Sequence, residues 1–347
     1  MERIIHVGIA GFGMSGQIFQ APFLHADPHF HIKKVYERNK ELAKAEYPYI
    51  QTVRSFEDLL TDGIDLVVIS TPNALHVPMA RQAMLAGKHV LVEKPVAATS
   101  REAQELCELA KEKGVVLAVY QSRRLDGDFR TVQKLIGDGT LGDILDYTVH
   151  YDRYVTGRSK KQWKAEGGPT VNVLYDLGVH IIDQAYVLFG MPEEVYADFR
   201  KHRPESGEFD NFEVILYYGK RKVSLAAGEV VAMPGAHYRV NGRKGSFIKY
   251  GMDVQECALI AGKRPPMEHW GEDDPEMYGT LARVTESGIV QEKVPTVPGN
   301  YGLLHDNLYH AIVDGAPFMV NPEDTVAVLR IIEAAIESGK TGARIKM

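Results

Sequence analysis

Short runs of apolar and β-branched residues recur through the first third of the chain: Ile4 to Ile9, Ile32 to Tyr36, Leu66 to Ile69, His89 to Val92 and Val115 to Val119. Each is followed by a helical pattern or a loop, the alternation expected of βαβ units. Runs so continuously apolar predict strands covered on both faces, hence a doubly wound parallel sheet. The sharpest helix signal starts at Thr99, with Glu102 three positions on as a capping box. It puts Ala103, Leu106, Cys107 and Ala110 on one face and stops at Gly114, which makes Cys107 a core residue rather than a nucleophile.

The texture changes near residue 122. A helix is predicted from Phe129 to Ile136, and then Leu145, Tyr147, Val149 and Tyr151 alternate with polar neighbours, as in a sheet with one solvated or interface face. Further strands are expected at 212–218, 222–227 and 237–251, the last with Asn241-Gly242 as its turn. A closing helix over 322–339 carries Val326, Leu329, Ile332, Ala335 and Ile336 on one side and Gly339 at its end. The expected architecture is α/β: a doubly wound domain over 1–122, which the family resemblance given below makes a Rossmann domain, then an α+β domain over 123–347 on a large open, mostly antiparallel sheet. The loop 263–279 carries no readable role.

Composition narrows the function. The 347 residues favour two domains, and 40 Lys+Arg against 46 Asp+Glu, a net charge of −6, offer no basic field for nucleic acid. Two cysteines give neither a disulfide framework nor a zinc site, and the glycine-broken start resembles neither a signal peptide nor a membrane span. A cytoplasmic enzyme is expected, with no membrane and no metal partner.

Candidate chemistry begins with Gly11, Gly13 and Gly16, a GxGxxG pattern directly after the first strand. Glycines there permit a tight turn and let backbone N–H groups approach a pyrophosphate at a helix N-terminus. Glu37, 21 residues past the last glycine, closes the second strand, where a carboxylate can bind the adenosine ribose hydroxyls and repel a 2′-phosphate. Arg38 beside it could pair with such a phosphate, so NAD is only modestly favoured over NADP. Thr71, Pro72 and Asn73 follow the next strand, and Glu93, Lys94 and Pro95 the one after, at the sheet edge where ligands bind in open α/β folds. Pro95 keeps Lys94 out of helical geometry. In the second half, Leu174, Leu177, Ile181, Ala185 and Leu188 form one face of a helix over 173–190, with Asp176 and His180 four apart on the neighbouring stripe. Asp183 is a rival partner for the imidazole. A metal reading of His76, Asp176, His180 and Asp183 matches no standard spacing.

GFGMSG, TPNALHVPMA, GKHVLVEKPVA and YDLGVHIID together resemble the Gfo/Idh/MocA family, that of glucose-fructose oxidoreductase and inositol dehydrogenase, and SFIKYG and RIIEAAIESGK are similar to its scyllo-inositol dehydrogenase subgroup. The resemblance spans nearly the whole chain. It implies a catalytic Lys94 with a cis Lys94–Pro95 bond, and an active-site pair Asp176 and His180, with Asp183 structural. It implies coenzyme contacts from the glycine turn including Phe12 and Met14, and from His76 and Gln121. It also implies a sheet that often makes dimers or tetramers, hence a homo-oligomer. Where relatives often show HNRRWD, this chain has QSRRLD at 121–126, so altered substrate contacts are expected. Arg124 is carried over as a substrate contact, Asp152 is a weaker candidate, and Trp163 could stack on a sugar ring, though a core role is favoured.

The expected function is hydride transfer between NAD or NADP and a secondary alcohol or ketone of a polyol or sugar. His180, oriented by Asp176, would remove the hydroxyl proton, and Lys94 would stabilise the alkoxide. This requires the lysine and the imidazole to meet at one coenzyme ring. Alternatives are an NAD-dependent glycosidase-type hydrolase of the same family and a non-catalytic dinucleotide or sugar sensor.

Overall fold

The structure, a computed structural model, describes residues 3–155, 168–204 and 209–347. In chain order the elements are β1 (Ile5–Ala10), a π-helical turn (Ser15–Gln20) running into α1 (Ala21–Ala26), β2 (Phe30–Tyr36), α2 (Leu42–Glu46), β3 (Gln51–Val53), β4 (Leu66–Ile69), α3 (His76–Leu85), β5 (His89–Glu93), α4 (Ser100–Lys113), β6 (Leu117–Tyr120) and α5 (Gly127–Gly137). There follow β7 (Ile144–His150), a second π-helical turn (Leu174–Gly178) leading into α6 (Val179–Phe189), β8 (Glu194–Arg200), β9 (Asn211–Tyr218), β10 (Arg221–Gly228), β11 (Tyr238–Gly242) and β12 (Gly245–Lys249). The chain ends with α7 (Gln255–Ile260), β13 (Gly279–Thr285), β14 (Gly288–Val294), α8 (Gly302–Val313), α9 (Pro322–Thr341) and β15 (Ile345–Lys346). No helix among the described residues is long and apolar enough to cross a membrane.

Two compact units emerge, and neither is one continuous stretch: the first takes Met1–Ser122, Gln255–Trp270 and Asn300–Val326, the second Arg123–Val254, Gly271–Gly299 and Ala327–Met347. The sequence division at 122/123 therefore leaves out two later segments that return to the first unit. Local patterning gives the elements of these segments but not which sheet they pack on, so nothing in the linear chain marks them as part of the first unit.

The first unit is built on six parallel strands in the order β3-β2-β1-β4-β5-β6, with the order reversing between β1 and β4. That switch point opens a crevice at the carboxyl ends of the strands. The central strands are buried on both faces, Leu66, Val67, Val68 and Ile69 in β4 and Val90, Leu91 and Val92 in β5. Truncating Leu91 to Ala would cost about 2–5 kcal/mol. The capping box forms as expected: Thr99 accepts from the Glu102 amide, Glu102 accepts from the Thr99 amide, and Gly114 closes α4 in the left-handed region.

The second unit carries nine strands in the order β14-β13-β12-β11-β7-β10-β9-β8-β15, antiparallel except for the β7–β10 pair. One face buries Tyr147, Val149, Val214, Leu216, Val223 and Leu225. Two expected glycine roles are corrected here. Asn241 and Gly242 belong to β11 rather than to the turn, and a Cβ on Gly242 would lie 2.1 Å from the Leu141 carbonyl oxygen, so the glycine serves a close backbone approach. Gly339 does not end α9, which runs on to Thr341. Its Cβ would lie 2.3 Å from the Phe199 ring, so the residue lets helix and sheet pack closely.

Candidate active site

The glycine turn has the shape a dinucleotide needs. Gly11 adopts φ +90°, and a Cβ there would meet the Ser70 carbonyl at 2.9 Å. A Cβ on Gly16 would sit 2.6 Å from the Gly11 carbonyl, whereas around Gly13 nothing lies within 4 Å. The first and third glycines thus close the strand-to-helix turn, and the second leaves open space against the backbone for a pyrophosphate. Phe12 is buried and Met14 is exposed beside it.

At the end of β2 the Glu37 carboxylate already has partners within the chain. The side chain is 6% exposed and turns inward, its two carboxylate oxygens accepting from the amides of Leu42 at 3.1 Å and Ala43 at 3.0 Å. It is an anion placed on the first turn of α2, where the helix leaves N–H groups unsatisfied. Arg54 braces the same loop by donating to the carbonyls of Glu37 at 2.9 Å and Lys40 at 2.6 Å. Arg38, Asn39 and Lys40 are left exposed beyond the strand end.

Thr71, Pro72 and Asn73 follow β4 at the sheet's carboxyl edge and are half-buried. His76, expected as a coenzyme contact, lies 1% exposed between two carbonyls, Nδ1 at 2.8 Å from Pro95 O and Nε2 at 2.9 Å from Thr71 O. Burial pushes its pKa down, while the two carbonyls, both acceptors, favour the doubly protonated ring, since a neutral ring can donate to only one of them.

The end of β5 carries Glu93 and Lys94, and the Lys94–Pro95 bond is cis. Glu93 Oε1 accepts from the Ser15 hydroxyl and, at 2.8 Å, from Gln20 Nε2. Burial is the largest influence and leaves the Glu93 pKa raised, with those two donors and the Lys94 charge opposing it. Neither Ser15 nor Gln20 was singled out from the sequence. The signal is modest: Ser15 lies within the glycine motif and Gln20 follows it on the same helix, where a buried polar side chain such as Gln20 has to find a partner. After β6, Gln121 is 1% exposed, and neither atom of its amide has a hydrogen-bond partner among the described residues. The same holds for the Ser70 hydroxyl at the end of β4. Orphaned buried polar atoms at the ligand edge of the sheet fit a bound polar group such as a nicotinamide coenzyme.

In the second unit, Asp176 falls in the π-helical turn and His180 in the first turn of α6, the latter buried at 7% exposure. The spacing read as one straight α-helix is therefore widened at Asp176. Arg124, carried over as a substrate contact, donates to Asp183 from Nε at 2.8 Å and from Nη2 at 2.7 Å. Asp183 thus serves Arg124. Gln184 ties the same loop down, donating to the Arg123 carbonyl at 2.9 Å and accepting from the Tyr238 hydroxyl at 2.8 Å. Asp152 is likewise engaged, accepting from the Gly228 amide at 3.0 Å and facing His150 Nδ1 at 3.4 Å, so its carboxylate stitches the sheet. Trp163 lies outside the described residues. Lys94 belongs to the first unit and Asp176 and His180 to the second.

Residues 5–121 match the family described as "Oxidoreductase family, NAD-binding Rossmann fold", and residues 133–347 match "Oxidoreductase family, C-terminal alpha/beta domain". The chain is 41% identical to scyllo-inositol 2-dehydrogenase (NADP(+)) IolW of Bacillus subtilis (strain 168), over 97% of this chain and 94% of that protein. It is 37% identical to the oxidoreductase YdgJ of Escherichia coli (strain K12), over 99% of each. The solved structure of the oxidoreductase yvaA of Bacillus subtilis superposes with a TM-score of 0.96 at 40% identity, covering 100% of this chain and 99% of that one. This chain is an oxidoreductase with an NAD-binding Rossmann domain. The chain belongs to the Gfo/Idh/MocA oxidoreductase family.

Proposed function

We propose that the protein is a dehydrogenase of cyclic polyols, of the inositol class, that oxidises a secondary alcohol and prefers NADP. The observation that carries this reading is the inward-turned Glu37. A carboxylate turned outward at that place would bind ribose hydroxyls and repel a 2′-phosphate, whereas here the charge is turned inward onto the α2 amides and Arg38 stands exposed next to it. The relative that acts on scyllo-inositol is itself named for NADP(+).

The glycine turn at Gly11, Gly13 and Gly16, with Arg38, Thr71 to Asn73 and Gln121, would hold the coenzyme, which supplies a hydride acceptor when bound. Of the chain's own groups, His180 is the proposed base for the hydroxyl proton, with Asp176 orienting its ring. Lys94 is the proposed catalytic donor that stabilises the alkoxide as charge develops on oxygen. The sheet of the second unit is the proposed surface of a homo-oligomer.

The test is a screen of the purified protein with scyllo-inositol, other inositols, sugars and sugar acids, each with NADP and NAD, read by the absorbance of reduced nicotinamide. Turnover of an inositol with NADP as the better coenzyme is expected. Turnover confined to acyclic substrates, or a clear preference for NAD, would overturn the corresponding half of the proposal.

A further inference from the structure

A buried hydrogen-bond chain runs within the first unit from α8 to the end of β5. His305 Nε2 lies 3.1 Å from Gln20 Oε1, and Gln20 Nε2 lies 2.8 Å from Glu93 Oε1. Gln20 is 0% exposed and His305 is 1% exposed. His305 stacks on Phe23 with ring centres 5.5 Å apart and planes 7° from parallel, and the Tyr120 ring packs at 5.6 Å.

The direction of this chain follows from donor counting. Glu93 Oε1 receives both the Ser15 hydroxyl and the Gln20 amide, so that oxygen accepts twice and carries no proton. The Gln20 amide then has its nitrogen toward Glu93 and its oxygen toward His305, and His305 must donate from Nε2. His305 Nδ1 makes no hydrogen bond of ordinary geometry among the described residues, and the Tyr301 backbone carbonyl also acts on the ring. The titratable groups acting on this chain are Lys94 beside Glu93 and Asp27 toward His305.

We propose that Gln20 and His305 are positioning residues that hold Glu93 as an anion next to Lys94 and thereby keep the lysine cationic for its work. The inference rests on the catalytic role given to Lys94 above. Burial alone favours a protonated Glu93, and the donors from Ser15 and Gln20 oppose it. Removing one of two donors tips that balance toward the neutral acid, and Lys94 loses its counter-charge. Its own pKa then falls, since an ammonium without an anion beside it in a partly desolvated place releases its proton more readily.

Gln20→Leu and His305→Phe test this. The second keeps an aromatic ring against Phe23 and removes only the donor. Melting temperature and quenching of intrinsic fluorescence by NADPH first establish that each variant folds and binds coenzyme. Infrared spectroscopy then reads the carboxyl group at neutral pH: Gln20→Leu is expected to gain a protonated-carboxyl band that disappears when Glu93→Gln is added. The basic limb of kcat/KM against pH is expected to move down by about one unit in Gln20→Leu and by less in His305→Phe. A folded Gln20→Leu protein with no new carboxyl band and an unmoved basic limb overturns the inference. Loss of the Lys94 role would show separately, as full turnover by Lys94→Ala, while the infrared arm still reports on the hydrogen-bond chain.

Discussion

Arg124 and Asp183 meet through two parallel hydrogen bonds of 2.8 and 2.7 Å, with side chains only 9% and 2% exposed. A fork of this kind matches guanidinium to carboxylate and fixes the 122–125 turn onto α6. Asp183→Ala removes both of these hydrogen bonds and a carboxylate from a buried guanidinium, and is expected to destabilise the second unit by about 3–5 kcal/mol. Chemical denaturation checks this. A loss under 1 kcal/mol would mean that Arg124 finds water readily and is available to a ligand after all.

Coenzyme choice should lie with Arg38 and not with Glu37. Arg38→Ala is expected to raise KM for NADP about tenfold, the worth of a charge-assisted hydrogen bond to the 2′-phosphate, with KM for NAD little changed. Glu37→Gln is expected to leave the NADP-to-NAD ratio in place and to lower stability by about 1 kcal/mol through the weaker helix cap. Steady-state kinetics with both coenzymes would show the reverse ordering if the Glu37 carboxylate reads the ribose.

Lys94→Ala should keep coenzyme affinity and lower kcat by about a hundredfold to a thousandfold, as expected on losing a donor to a developing alkoxide. Coenzyme titration and turnover, measured on the same preparation, separate the two effects.

His305 makes the first unit sensitive to acid. Burial lowers its pKa to about 4 from an ordinary value of 6.5, so the unfolded chain binds a proton that the folded one refuses between those values. Stability from this group is therefore complete above pH 6.5, falls as pH drops toward 4, and is level below that. The difference corresponds to about 3 kcal/mol. The gap in unfolding free energy between wild type and His305→Phe, followed over that range, should track this curve. A flat difference would place the imidazole within reach of solvent.

The parallel sheet, the glycine turn and the capped α4 were legible because each is a local pattern. Uninterrupted apolar runs demand cover on both faces, a glycine triplet after a strand demands a tight turn, and Thr99 with Glu102 satisfies the helix end from within four residues. The motif residues were legible as candidates for the same reason, since Gly11, Glu93, Lys94, Asp176 and His180 sit in short, distinctive strings.

What only the tertiary structure decided is which polar atoms are already engaged. Spacing brought Glu37 to the end of β2, but the α2 amides that claim its carboxylate come from a helix too short to show in the pattern. Arg124 and Asp183 are 59 residues apart, and Gln20 and His305 are 285 apart. The linear chain determined which side chains reach the ends of strands, because a strand's period is local. It could not say which of them remain to meet a ligand, because a buried donor or acceptor takes whichever partner folding brings near.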